Sequence, residues 1–253
     1  LVKLKAILFD MDDTLIDWGG RVHDWATHER QHLGYVLDHV TAQGHAIADV
    51  EAFYHAVRTI TTQAWVASDE SLRAPNYVEA IEQGLARVGV PTGSFDHDAL
   101  LEMYGWGLVE GVTVFPDAQE VLPVLRERGL TLGLITNAAT PMRFRDRELA
   151  MVGLLDYFSD CRLSAVDVGY IKPHPAIFHH ALDMLELTPA EVVFVGDNPE
   201  ADVVGAQQVG MKAVLRNIKR EGLVYRQGIT PDAAIDTLHD MLPILDTWYP
   251  GWR

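Results

Sequence analysis

Residues 5–13 read KAILFDMDD, an apolar run that stops abruptly on aspartates. The apolar residues do not alternate strictly with polar ones, so the run fits a strand covered on both faces, as in a parallel sheet. Later segments share that character: 130–135 (LTLGLI) ending at Thr136, 161–166, and 192–195 (VVFV) ending at Gly196-Asp197. Residues 213–215 add a fifth candidate strand and 233–235 a sixth. Helical patterns fill the intervals at 118–128, 141–152, 175–185 and 200–209, with Gly210 closing the last as a C-cap. Strand and helix in alternation predict an α/β fold with a doubly wound parallel sheet.

Residues 18–107 break that rhythm. They hold no convincing strand but four amphipathic helical patterns, near 22–43, 49–67, 76–88 and 96–107. Asp-Trp-Gly-Gly at 17–20 and Glu-Gly-Val-Thr at 110–113 read as hinges. The expected organisation is therefore a core of residues 1–17 and 108–253, with 18–107 inserted as a small all-helical cap.

Composition narrows the function. The 253 residues are 48% hydrophobic and 22% charged, ordinary values for a globular chain. A formal charge of −16 argues against nucleic acid and against a polybasic membrane surface, both of which call for clustered lysine and arginine. No apolar run is long enough to span a bilayer and no signal peptide precedes the first strand, so a cytoplasmic protein is expected. The single cysteine, Cys161, lies among apolar residues and reads as a buried structural thiol.

In an open parallel sheet, ligands bind outside the carboxyl ends of the strands. The predicted strands and the loops after them deliver Asp10 with Asp12, Thr136, Lys172 and Asp197 to that edge. Crowded carboxylates repel one another and need a cation, and an all-oxygen donor set favours Mg²⁺. Lys172 and the Thr136 hydroxyl then suit the oxygens of a phosphate, and Asn137, directly after Thr136, is expected to touch the phosphate or the leaving group. Asp10 can attack phosphorus, and Asp12 can protonate the leaving alcohol and later deprotonate water.

Residues 10–15 (DMDDTL), 135–137 (ITN), 171–175 (IKPHP) and 196–202 (GDNPEAD) resemble, in order, the four motifs of the haloacid dehalogenase-like hydrolase superfamily. The resemblance covers residues 4 to about 215. It implies Asp10 as nucleophile, Asp12 as acid and base, and Thr136 and Lys172 as phosphate binders. It further implies Mg²⁺ held by Asp10, Asp197 and the Asp12 backbone carbonyl, with Asp202 supporting the metal or Lys172. The insert resembles the family's C1-type cap, where selectivity for a small phosphorylated substrate usually resides. Within the cap, Trp18, Arg21, His23 and Arg73 are candidate substrate contacts, each with a structural reading beside it.

Other readings stay open at this level. The family's 2-haloacid dehalogenases need no metal and generally lack an acid at the position of Asp12. Its phosphonate hydrolase uses a cap lysine, and residues 18–107 contain arginines but no lysine. A sugar phosphomutase shares the aspartyl-phosphate and differs in how the cap treats it. In another class, His28-Glu29-Arg30-Gln31-His32 matches the H-E-x-x-H helix of zinc proteases; a solvated helix face is the competing reading. A non-catalytic scaffold is the third class, opposed by the presence of every motif residue. The aromatic cluster Trp248-Tyr249-Pro250-Gly251-Trp252 either packs on the core or forms a contact surface.

Overall fold

The computed structural model describes residues 2–218 and 228–252. The first strand, β1 (Ala6–Phe9), is buried on both faces. The chain then forms β2 (Ile16–Asp17) and four helices: α1 (Trp25–Ala42), α2 (Val50–Ser71), α3 (Tyr77–Arg87) and α4 (His97–Tyr104). It returns through β3 (Thr113–Val114), α5 (Pro116–Glu127), β4 (Thr131–Thr136), α6 (Met142–Met151), β5 (Cys161–Ser164), α7 (Ala165–Val168) and α8 (Pro175–Leu185). Last come β6 (Val192–Gly196), α9 (Gly205–Gln208), β7 (Lys212–Arg216), β8 (Ala233–Ile235) and α10 (Met241–Trp248).

Six strands form one sheet in the order β5-β4-β1-β6-β7-β8, and every pairing in it is parallel. β1 is central, and the chain leaves it first toward one edge and later toward the other. That reversal opens a crevice at the carboxyl end of β1, the place where this sheet type holds ligands. Ile7 and Phe9 point into one apolar layer with Val121, Leu122 and Leu149. Ala6 and Leu8 point into the other with Ile177, Phe178 and Ala181. Tyr249 and Trp252 are buried in the first layer, so the C-terminal aromatic cluster packs on the core. Cys161 is buried, and burial pushes its thiol up to about 12, which suits a structural role.

The inserted helices start where short polar side chains cap them. Asp24, Asp49 and Asp96 accept from the backbone N–H groups of Thr27, Ala52 and Asp98, respectively. The Asp24 cap moves the first helix start to Trp25, later than residue 22. At the other end, Gly105 turns left-handed at φ 69° and stops α4 at Tyr104, short of residue 107. The helices bury a separate cluster that includes Leu33, Val36, Phe53, Ile81 and Leu100.

Three further features depart from the sequence expectation. The strand expected over 161–166 ends at Ser164, because Ser164 Oγ bonds the Asp167 carboxylate at 2.8 Å and the chain coils into α7. The helix expected over 200–209 opens as a π-helical turn, Pro199–Val204, before α9. β2 and β3 pair as an antiparallel ribbon at the foot of the insert, though each has only two residues. Beside that ribbon the segments at 17–20 and 110–113 meet. Gly111 lies at φ 83°, and a Cβ there would overlap the Gly20 carbonyl.

Candidate active site

The residues that cluster come from four loops at the carboxyl edge of the sheet. Asp10 follows β1 and is 7% exposed. Lys172, on the loop between α7 and α8, donates to Asp10 Oδ1 at 2.6 Å and pairs with Asp202 Oδ1 at 2.7 Å. The Thr14 hydroxyl donates to Asp10 Oδ2 at 3.3 Å. Asp202 reaches inward because the preceding strand ends on Gly196; a Cβ there would overlap the Asp202 carboxyl. The widened π-turn carries Asp202, whose other oxygen accepts from the Asn198 backbone N–H at 2.9 Å.

Asp10, Asp197 and Asp202 each place a carboxylate oxygen within 4.8 Å of the others. Burial raises Asp10 well above the ordinary carboxylate range; Lys172 opposes that rise, while Asp202, Asp197 and Asp12 add to it. Burial, then Asp202 and Asp13, raises Asp197 to about 7. Such crowding is what a divalent cation relieves, and the all-oxygen donors fit Mg²⁺. Burial works against the charge on Lys172, but Asp10 and Asp202 outweigh it and hold the ammonium protonated.

Asp12 turns the other way. Its Oδ1 accepts from the Trp18 indole at 2.8 Å and from Arg145 Nη2 at 2.6 Å. Its Oδ2 accepts from the Thr136 hydroxyl at 3.4 Å. Asn137 braces the lysine loop, accepting from the Lys172 backbone N–H at 2.8 Å and donating to its carbonyl at 3.2 Å. Asp10, Asp12, Thr136, Asn137, Lys172, Asp197 and Asp202 thus line one cavity of about 180 Å³.

Arg145 is the group that sequence reading missed. It lies buried on α6 and pairs with Glu148 at 3.2 Å as well as with Asp12. Burial lifts Glu148 to about 7 against the pull of Arg145. The Trp106 indole donates to the same carboxylate, which ties the end of the insert to α6. A signal was present: two opposite charges at i,i+3 on a helix face shared with buried Phe144 and Leu149.

The cap candidates fare unevenly. Trp18 touches Asp12 and lines the cavity beside it. Arg21 and His23 are exposed, with His23 3.9 Å from Glu110 at the hinge, and neither lines a cavity at Asp12. Arg73 lies over the Tyr170 ring in a separate cleft, because its segment pairs with Tyr170 beyond α2. In the H-E-x-x-H segment, Glu29 is 4% exposed and accepts from the Tyr77 hydroxyl at 3.0 Å. That corrects the solvated-face reading for Glu29, which is committed to helix packing. His32 Nδ1 contacts the Tyr104 carbonyl at 2.6 Å. Burial, then His32, pulls His28 down to about 4. Among the described residues, the histidines join no cluster of three possible metal ligands.

Fold and site define a class: a doubly wound α/β enzyme with strand-end carboxylates under a helical insert. The chain belongs to the haloacid dehalogenase-like hydrolase family, whose model matches residues 4–210. It is 33% identical to a ribulose-1,5-bisphosphate 5-phosphatase of Halopiger xanaduensis over 255 aligned residues, 95% of this chain and 98% of that one. It is 29% identical to the pyrophosphatase PpaX of Bacillus mycoides, over 96% of this chain and 98% of the other. Among solved structures it resembles a 2-haloacid dehalogenase from Pseudomonas syringae, with TM-score 0.64, 28% identity and coverage of 97% and 99%. A HAD phosphatase from Thermococcus onnurineus matches with TM-score 0.61, 27% identity and coverage of 96% and 98%.

Proposed function

We propose that this hydrolase is a Mg²⁺-dependent phosphatase that cleaves a small phosphate monoester through an aspartyl-phosphate. Residues 1–17 and 108–253 form its catalytic core, and 18–107 its cap. The observation that carries the reading is Asp10, held by Lys172 at 2.6 Å in a cavity that Asp12 also lines. The side chains of Asp10 and Asp197 and the Asp12 carbonyl would hold Mg²⁺, with Asp202 steadying Lys172. Bound there, Mg²⁺ supplies charge that offsets the carboxylate repulsion and polarises a phosphate oxygen.

The chain's own groups then divide the work. Lys172 and Thr136 bind phosphate oxygens and orient phosphorus toward Asp10. An Asp10 carboxylate oxygen forms a bond to phosphorus as the ester P–O bond breaks, and Asp12 gives the departing alkoxide a proton. Asp12, now ionised, takes a proton from water, which attacks the aspartyl-phosphate and returns Asp10 with inorganic phosphate. Asn137 holds the Lys172 loop in register through both steps.

The test is p-nitrophenyl phosphate hydrolysis with Mg²⁺, with EDTA, and in an Asp10→Asn variant. We expect Mg²⁺-dependent turnover that falls by about 10⁴-fold or more in the variant. Full activity in Asp10→Asn would remove the nucleophile and the proposal with it. The likeness to a 2-haloacid dehalogenase supports a second reading, hydrolysis of a halogenated acid at Asp10. Halide release from 2-chloropropanoate in EDTA, without phosphate release from any ester, would favour it.

A further inference from the structure

Beside the catalytic cavity lies a larger one of about 330 Å³. Asp12 and Asn137 line both, so a substrate whose phosphate meets Asp10 extends its leaving group into this space. The lining includes Trp18, Trp25, Trp65, Trp106 and Tyr77. Resting on the phosphatase reading, we infer that the leaving group carries a flat, uncharged aromatic ring.

Three of the tryptophans make a fixed wall. Trp18 is tied to Asp12 and Trp106 to Glu148 by their indole N–H groups. Trp25 stands between them, with ring centroids 6.4 Å from Trp18 and 5.9 Å from Trp106. Trp65 comes from α2 and is different. Among the described residues no ring and no hydrogen-bond acceptor engages its indole, and it stays 36% exposed. An unpaired indole in a cavity otherwise walled by rings offers a planar guest a face to cover.

Charge points the same way. Arg145 is the one cation of the described lining, and Asp12 and Glu148 already share it at 2.6 and 3.2 Å. Indole faces carry negative potential and do not attract a second phosphate or a carboxylate. The relatives named for pyrophosphate and for a bisphosphate act on substrates whose leaving groups are anionic. This lining offers such a group no available cation among its described residues.

The experiment uses the full chain with Mg²⁺ and four substrates: 2-phenylethyl phosphate, glucose 6-phosphate, fructose 1,6-bisphosphate and, as a small reference, acetyl phosphate. We expect kcat/KM for the phenylethyl ester to exceed those for both sugar phosphates by about tenfold or more. Trp65→Ala should lower the phenylethyl-to-acetyl ratio by about tenfold, mainly through KM, and Trp65→Phe should restore much of it. Thr61→Arg, which adds a cation to the lining, should shift selectivity toward the bisphosphate and serves also if Trp65→Ala fails to fold. A wild type that cleaves acetyl phosphate but prefers a sugar phosphate, or a ratio unchanged in both Trp65 variants, overturns the aromatic leaving group alone. Failure to cleave any of the four overturns the phosphatase reading and this inference together.

Discussion

The polar cavity at the sheet edge and its aromatic neighbour meet at Asp12 but are built from different materials. The first, about 180 Å³, is walled by charged and polar groups from loops at one sheet edge. The second, about 330 Å³, is walled by rings that come mostly from the insert. Groups held at the edge of a buried parallel sheet keep their spacing. Helices over that edge can change their side chains without disturbing the strands, which suits the choice of leaving group. The two halves are fastened at α6. Arg143 pairs with Asp98 and Arg147 with Glu102 at the surface, and Trp106 bonds buried Glu148 inside.

If that division holds, the largest loss follows from disturbing the polar cavity. Lys172→Ala removes the cation shared by Asp10 and Asp202, and turnover should fall by about 10³-fold with every substrate alike. A loss confined to ring-bearing substrates would break the comparison.

A middle effect lies on the seam. Burial raises Glu148 from 4.5 to about 7, so the folded state favours its protonated form. Its contribution to stability is full below the unfolded value and is lost as pH rises through about 7. The stability of wild type relative to Glu148→Gln should therefore fall between about pH 5 and 8, by on the order of 2 kcal/mol in urea unfolding. A pH-independent difference would show that Arg145 alone sets the state of this carboxylate.

The smallest effect belongs to the cap interior. Tyr77→Phe removes the hydroxyl that Glu29 accepts from and leaves that carboxylate buried without it. A loss of about 1–2 kcal/mol in thermal unfolding is expected. An unchanged melting curve would mean that Glu29 is protonated or rehydrated at little cost.

Most of the polar cavity was legible from residue order because Asp10, Asp12, Thr136, Asn137 and Asp197 sit at a strand end or in the loop that follows one, whereas Lys172 lies between α7 and α8 and Asp202 on the π-turn. Once the apolar runs that stop at Asp10, Thr136 and Gly196-Asp197 read as parallel strands, their ends had to share an edge. The aromatic cavity was not legible in the same way. Trp18 was flagged for its place after β1, but Trp65 and Trp106 sit on opposite sides of two further helices, and only packing turns them toward one space. Arg73 was a candidate substrate contact beside the competing reading of a solvated arginine, and its segment pairs with Tyr170, which carries it to another cleft.

The amino-acid sequence alone determined the strand–helix alternation, the inserted helical stretch, the aspartates of the edge and the family. Those depend on periodicity and on groups close to their strand, which local geometry controls. Tertiary structure decided what joins residues distant in the chain: the two-residue ribbon between β2 and β3, Arg145 on Asp12, and Glu29 under Tyr77. Each of these is a contact between side chains or strands too short or too far apart to leave a local pattern. Their energies come from burial and pairing, which exist only once the chain has closed on itself.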